Sequence, residues 1–503
     1  MGPRSHHLRR LRPGRVLACA ALGLITVAAP TATAGTPTIL GNVSQGKGTV
    51  TAGTNGTFHV VYNDEGSKLI TYCQVTSATL KPTGVGCAKR TLVPFSGTTG
   101  EAYPEVPWIV RDPASGTLYL AMQNYLIDTP QTVTNHAWVW TSTDDGTTFT
   151  GPVQIHQRGT GTDPSRPLLG PKPGTLGFAS SNTALFAFSA AIDGSGATDE
   201  SASTLDTGGV PNFNFSGGTR IAPFGARTIA ASDTAENVYS WSTGPNADLG
   251  NQASWSPPTI VDGGSDVTIA GGENSTFMTY NRKSDGRLVA REWSGSEWGD
   301  ATIVNPNEAA TTTYLDDAYM SPGGKLVVGY RENGTGLRVS TSDDGQRWET
   351  RTIAVSDEIF FDLNVARDDA GNGLAVWTRS GAIVAASTTA VRDATAPRRT
   401  VSVTKDGFTT GLNLEGSCVL PGAKTTLTVG GQGTGQVTKV VFGLGKAKVT
   451  DTKKPYTATL TVPASSAAGA SLPAKATITH RFKKKGKTLT KQRTITTALD
   501  VCG

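Results

Sequence analysis

The stretch "TTTYLDDAYM", residues 311–320, sets two consecutive carboxylates, Asp316 and Asp317, two residues beyond the aromatic hydroxyl of Tyr314. Hydrolysis of a glycosidic bond needs groups of this kind, one giving a proton to the leaving oxygen while another acts on the opposite face of the sugar. Arginines stand elsewhere in suggestive settings: Arg166 in "SRPLL", Arg111 in "WIVRDP", Arg331 in "GYREN" after an apolar run, and Arg367 in "NVARDD". A guanidinium matches a carboxylate with two parallel hydrogen bonds, so arginines converging on one point would hold an anionic ligand. The plainer reading of Tyr314 to Asp317 is a strand start beside a solvated turn. Other chemistries find less support. His59, His136, His156 and His480 show no zinc-binding spacing, and His59 lies inside the apolar run "GTFHVVY" as an ordinary strand residue. No Gly-x-Ser-x-Gly elbow and no complete Gly-x-x-x-x-Gly-Lys-Ser/Thr phosphate loop is present. The Asp pairs at 144–145, 316–317, 343–344 and 368–369 lack EF-hand spacing and read as turn formers. No metal and no cofactor is expected.

The elements that must position these groups are strands. With 60 Gly, 27 Pro and 7% aromatic residues, the chain shows no three-turn window of helical apolar spacing, so the class is all-β. Two families of segments repeat. "WSPPTI" (255–260), "WGDATI" (298–303) and "WETRTI" (348–353) each place Ile five residues after Trp, with "FTGPVQI" (149–155) a looser relative. "GTFHVVY" (56–62), "GTLYLAM" (116–122), "GKLVVGY" (324–330) and "GLAVWTR" (373–379) are glycine-started strands that mostly follow turn residues. A period of 40–50 residues of strand, turn and strand predicts propeller blades, which bury their faces only by stacking around an axis. Units fall at 48–97, 103–157, 160–215, 218–262, 263–306, 311–355 and 358–391. The last has three clear strands, and "TILGNVS", 38–44, returns as its fourth. Six or seven blades are expected over residues 35–391, with seven favoured.

Two corners punctuate this pattern. "STDDGTTF", residues 142–149, and "TSDDGQRW", residues 341–348, both read small hydroxyl, x, Asp, x, Gly, x, x, aromatic. In such a turn an Asp carboxylate accepts backbone N–H bonds, glycine supplies the positive φ, and the ring enters the next strand to bury between blades. The pattern resembles the Asp-box (BNR) repeat of sialidase-like β-propellers. That resemblance makes Ser142, Asp144, Gly146 and Phe149, and Thr341, Asp343, Gly345 and Trp348, structural residues of the outer rim. It also implies an axial site in which three arginines hold a substrate carboxylate, a Tyr–Glu pair serves as nucleophile, and an Asp acts as acid/base. The Arg-Ile-Pro strand with which that family opens has no counterpart in "GNVSQGKGTV". The nearest candidates for the site are Arg166, Tyr314, Asp316, Asp317, Arg331 and Arg367. The expectation is therefore a non-catalytic recognition protein for a cell-surface or extracellular glycan or protein, with an exo-glycosidase of sialidase type as the alternative.

The ends of the chain complete the picture. Arg4, Arg9, Arg10, Arg12 and Arg15 precede the apolar "VLACAALGLITVAA", and Ala32-Thr33-Ala34 forms a cleavage site. Residues 1–34 are expected to be a signal peptide and the mature protein to be secreted, with no transmembrane anchor. In that compartment Cys73 and Cys87, and Cys418 and Cys502, are expected as disulfides, the local pairings among three formal possibilities. From residue 395 onward there are 17 Lys or Arg against 4 Asp or Glu, whereas residues 35–394 carry 23 against 36. Opposite charge marks two domains joined by a linker at 392–400. In "VTKVVFGLGKAKVTDTKKPYTATLTVP", residues 437–463, a strand ends in a Gly-Lys turn and "PY" opens the next, and on this pattern residues 401–503 resemble bacterial Ig-like sandwiches. Their basic hairpin "HRFKKKGKTLTKQR" suits an anionic cell-wall polymer or, alternatively, the acidic propeller itself, contacts that salt would loosen. Without interleaved aromatic residues it does not suit nucleic acid.

Overall fold

A computed structural model describes residues 36–501 apart from 44–46, 64–68, 82–83, 95–102, 130–131, 160–165, 182–184, 196–202, 206–218, 235, 305–312, 333–335, 355–360, 389–398, 406–407, 415–417, 420–421, 434, 467–469 and 485. The expected signal peptide over 1–34 and Cys502 lie outside the described residues. The described chain is almost entirely antiparallel strand, and its larger part is a β-propeller built of four-stranded meanders. No described helix is long and apolar enough to cross a membrane.

The first meander comprises Thr49–Ala52, Phe58–Asn63, Leu69–Val75 and Lys89–Pro94; the second, Tyr103–Arg111, Leu118–Thr129, Thr132–Ser142 and Thr150–Gly159. The third runs Leu168–Leu169, Thr175–Ser181, Leu185–Ala191 and Ser203–Thr204. The long strand Thr259–Gly271 serves two units. Its first half ends the fourth meander, after Arg220–Phe224, Arg227–Asp233 and Asn237–Ser242. Its second half opens the fifth, before Thr276–Arg282, Arg287–Trp293 and Thr302–Ile303. The sixth is Thr313–Met320, Leu326–Glu332, Gly336–Ser342 and Arg347–Ala354. The seventh is Phe361–Arg367, Gly373–Arg379 and Ala382–Ser387, completed by the N-terminal strand Thr38–Asn42, whose Thr38 lies opposite Ala385. First strands of neighbouring meanders lie against each other, the first against the second and seventh, and the fifth against the fourth and sixth. These inner strands surround the axis.

Burial between meanders is what the repeated tryptophans provide. Trp255 packs with Leu168, Ala179 and Leu185 of the third meander. Trp298 packs with Ala222 and Ile229 of the fourth and donates to Ser240 Oγ at 2.9 Å. Trp348 packs with Phe277, Leu288 and Ala290 of the fifth. Each indole thus wedges against the preceding unit. The paired isoleucines are less uniform, with Ile303 and Ile353 buried but Ile260 62% exposed.

Both acidic corners lean on the preceding meander by the same two contacts. A Cβ on Gly146 would fall inside the Tyr72 ring, and one on Gly345 inside the Phe277 ring, so only glycine permits the approach. The Gly146 carbonyl accepts from Thr91 Oγ1 at 2.8 Å, and the Gly345 carbonyl from Thr302 Oγ1 at 3.1 Å. In the first corner Asp144 accepts from Ser142 Oγ (2.8 Å) and from the Thr148 backbone N–H (2.9 Å), and the Phe149 ring meets that of Tyr72 edge-on at 5.3 Å. The second corner departs from the sequence expectation. Its turn acceptor is Asp344, reached by the N–H groups of Gln346 and Arg347 and by Ser342, in place of the expected Asp343 and Thr341. The first corner passes through two residues of positive φ, Asp145 (57°) and Gly146 (79°); the second uses Gly345 alone (66°), and its accepting carboxylate stands one residue later. Asp343 turns away to Arg367 (2.9 Å) and Lys325 (3.2 Å).

The C-terminal region is a two-sheet sandwich around Leu412, Leu427, Phe442, Ile478 and Ile495. Its first strand, Arg399–Lys405, pairs with the outer strand of the sixth meander, Trp348 opposite Ser402, and makes one sheet of eight strands across both domains. Of the linker expected over 392–400, residues 392–398 lie outside the described residues, and Arg399 and Thr400 belong to a strand. The described contact is a backbone ladder. Cys73 and Cys87 form a disulfide.

Candidate functional site

Three neighbouring inner strands carry a bulge with an aspartate in it. The register slips between Ser265 and Thr268, between Leu315 and Asp317, and between Phe361 and Asn364. Asp266 (φ 53°), Asp316 and Asp362 (φ 56°) occupy these slips. A bulge re-aims side chains out of the pleat, and here it sets further polar groups along the axis. Asp362 pairs with Lys47 at 2.8 Å, Asp316 with Arg331 Nε at 2.9 Å, and Asp266 accepts from Asn281 Nδ2 at 3.1 Å. The Asp266 N–H donates to Asp233 at 3.2 Å, extending the network to the fourth meander. Tyr314 is 45% exposed, and the Arg331 guanidinium lies 5.5 Å from its ring centre.

Arg166 crosses the axis from the third meander. It donates to the Val50 carbonyl at 2.6 Å, pairs with Asp317 Oδ2 at 3.1 Å, and lies 5.4 Å from the Tyr319 ring and 5.9 Å from the Trp108 ring. Asp317 also accepts the Val365 N–H at 3.0 Å, so one carboxylate ties three meanders together. Arg220, half-buried at the head of its strand, stands in the field of Asp317 and Asp316. Further along the same strands the axis opens into a cavity of about 540 Å³, lined by Arg166, Arg111, Leu168, Ile221, Ile269 and Met320 among others.

Burial dominates the electrostatics. It pushes the Asp316 carboxyl up to about 7 against the pull of Arg331, with Asp362 and Asp317 adding to the rise. Burial also raises Asp317 against Arg166, and raises Asp266 against its Asn281 bond and Arg331. Burial lowers the Arg220 guanidinium, opposed by Asp317 and Asp316.

Of the residues singled out from sequence, Arg166, Tyr314, Asp316, Asp317 and Arg331 come together in one polar network along the axis, and of these Arg166 also lines the cavity. Arg367 does not join them. Buried at the far end of its strand, it donates to the Leu326 and Ser342 carbonyls at 3.2 and 2.8 Å and pairs with Asp343, bracing the second corner. Sequence reasoning missed Asp266, Asp362, Lys47 and Arg220. A faint signal exists, since "SDV", "DDA" and "FDL" each set an Asp near the start of an inner strand. Among the described residues, no three His, Cys, Asp or Glu side chains are grouped to hold a metal ion.

No family model matches the chain, and no curated protein matches its sequence. Among solved structures it is similar to a Hadza microbial sialidase, with 12% identity over 68% of this chain, 65% of that one, and a TM-score of 0.36. The chain thus spans slightly less than two thirds of that sialidase. It is also similar to YCF48 from Cyanidioschyzon merolae (11% identity, 71% and 96% of the two chains, TM-score 0.38). A point mutant of NanB sialidase from Streptococcus pneumoniae aligns with 10% identity over 74% and 73%, at a TM-score of 0.32. Similarity of this depth carries no argument about what the chain does.

Proposed function

We propose that this chain is a secreted, non-catalytic recognition protein whose axial well receives a cell-surface or extracellular glycan or protein segment. Counting each four-stranded meander as a blade makes the propeller seven-bladed, with Asp-box corners at 142–149 and 341–348 and an Ig-like sandwich as spacer. The observation that carries this reading is the charge pairing inside the well. Arg166 and Arg331 are each engaged by a carboxylate of the same chain, Asp317 at 3.1 Å and Asp316 at 2.9 Å. An arginine set for an anionic sugar would have to face the substrate instead, and these aspartates would repel its carboxylate. A hydroxyl-rich ligand fits better: carboxylates accept from its O–H groups, guanidiniums donate to its oxygens, and the exposed Tyr314 ring offers a face for its C–H surface. Binding to an array of neutral and acidic glycans tests the reading. Retention of neutral glycans, lost by at least ten-fold on Tyr314→Ala, supports it, and an array with no retained glycan removes the glycan half.

One observation favours an exo-glycosidase of sialidase type. A carboxyl held near 7 in a well is suited to give a proton at neutral pH. Turnover of a fluorogenic sialoside by the wild type, abolished by Asp316→Asn, would establish the enzyme and displace the binding reading.

A further inference from the structure

The C-terminal sandwich shows a face that none of the axial chemistry uses. Its five-stranded sheet is ordered Cys418–Val419, Lys487–Val501, Ser471–Lys484, Gly435–Leu444 and Ala447–Asp451. Inward positions over the core are apolar, with Ala474, Ala476 and Ile478 buried against Val440, Phe442 and Ile495, and toward the hairpin end they include His480, Phe482, Lys491 and Arg493. The outward positions alternate with these, and they are basic and hydroxylic.

Along Ser471–Lys484 the outward residues are Lys475, Thr477, Thr479, Arg481 and Lys483, and the register sets Thr496, Thr494, Gln492, Thr490 and Thr488 beside them. On the other side Lys439 lies opposite Thr479, and Gly443 lies between Lys475 and Lys448. Lys439, Lys448, Lys475, Arg481 and Lys483 are all exposed, and no described salt bridge involves any of them. From Lys475 to Lys483 the outward positions hold no carboxylate. The nearest acid on these strands, Asp451, lies opposite the buried Val440 and is occupied by the N–H groups of Lys453 and Thr457 at 3.0 and 2.8 Å. At the strand rise the track from Lys475 to Lys483 is about 27 Å long, with cations every one or two outward positions, roughly 7–14 Å.

Uncompensated like charges on a rigid sheet cost stability unless an anion neutralises them, and a row this long fits an extended polyanion better than a single ion. Four of the five cations are lysines, point charges suited to phosphate, whereas planar carboxylates favour the arginine fork. The face has no outward aromatic ring, so bases would find no stacking platform. We infer that this sheet face binds a linear polyol-phosphodiester polymer, its lysines meeting successive phosphates and its threonine rows hydrogen-bonding the intervening hydroxyls. The inference is independent of what the axial well receives.

The test uses the full-length secreted chain and fluorescently labelled poly(glycerol phosphate), followed by anisotropy from about 50 to 200 mM NaCl. The triple change Lys475→Glu, Arg481→Glu and Lys483→Glu is expected to weaken binding at least ten-fold and to flatten the log–log salt slope by about 2. The control Lys81→Glu, Lys172→Glu and Lys424→Glu makes the same change in net charge at exposed sites off this face, and should shift binding less than two-fold. If the first triple melts early, the Gln versions of the same three positions carry the comparison. Equal losses in both triples, no binding by the wild type, or single-stranded DNA binding as tightly through the same residues would each overturn the inference.

Discussion

Replacing Asp316 by asparagine removes a carboxyl that burial holds up at about 7 while leaving an oxygen to accept from Arg331. Because the folded value stands above the ordinary 3.8, ionisation disfavours the fold. The carboxyl costs nothing well below about pH 4, and its cost grows with rising pH until it levels off above about 7. Integrating between pH 5 and pH 8 gives a loss of about 2.5 kcal/mol from this group alone, its side chain being only 8% exposed. All nine tryptophans lie between residues 108 and 377, so urea unfolding followed by indole fluorescence reports the propeller without the sandwich. Other groups titrate in the same window, and subtracting the variant's curve from the wild type's removes them. The wild type is expected to lose about 2.5 kcal/mol relative to Asp316→Asn as pH goes from 5 to 8. A difference that stays constant to within about 0.5 kcal/mol across that range would refute the reasoning, since the carboxyl would then ionise alike in both states.

Other perturbations have equally definite outcomes. Burial holds His59 down at about 4, with its Nδ1 2.8 Å from the Tyr72 hydroxyl, so its contribution is complete above pH 6.5 and is lost as pH falls toward 4. Relative to His59→Phe, the wild type should lose about 2 kcal/mol between pH 7 and pH 5 in the same urea assay. Gly345→Ala places a methyl inside the Phe277 ring at a positive φ and should destabilise the propeller by about 2–4 kcal/mol, read as a lower urea midpoint. The two domains are joined by a backbone ladder, so raising NaCl from about 0.1 to 1 M should leave cleavage between them by limited proteolysis unchanged. Ser402→Pro, which interrupts that ladder, should expose the junction to protease.

Much of the propeller was legible because its punctuation is local. Trp255, Trp298 and Trp348 recur where the chain starts the last strand of a meander, and a ring that buries against the unit before it needs the same residue each time. The returning strand at 38–42 was legible by elimination, the last unit being one strand short. The well was only half visible. Asp316 and Asp317 drew notice as a pair, but Asp266 and Asp362 are single acids among many, and only the register slips that re-aim them reveal their role. Arg367 misled for the opposite reason, because the end of an inner strand that faces the axis and the end that faces the next corner carry the same local pattern. The exchange of Asp343 for Asp344 turns on one positive φ, a choice that two adjacent aspartates do not announce. Pairing of Arg399–Lys405 with the sixth meander depends on contacts distant in sequence, which no periodicity encodes.

The circle of sheets is sealed by its earliest strand meeting one of its last, with Thr38 set against Ala385. A chain emerging from its amino end must therefore hold that first strand unmatched until nearly the whole propeller has been made. The outer edge of Ala382–Ser387 in the seventh meander stays open for that interval, and the closing step comes late, across the longest loop in the domain.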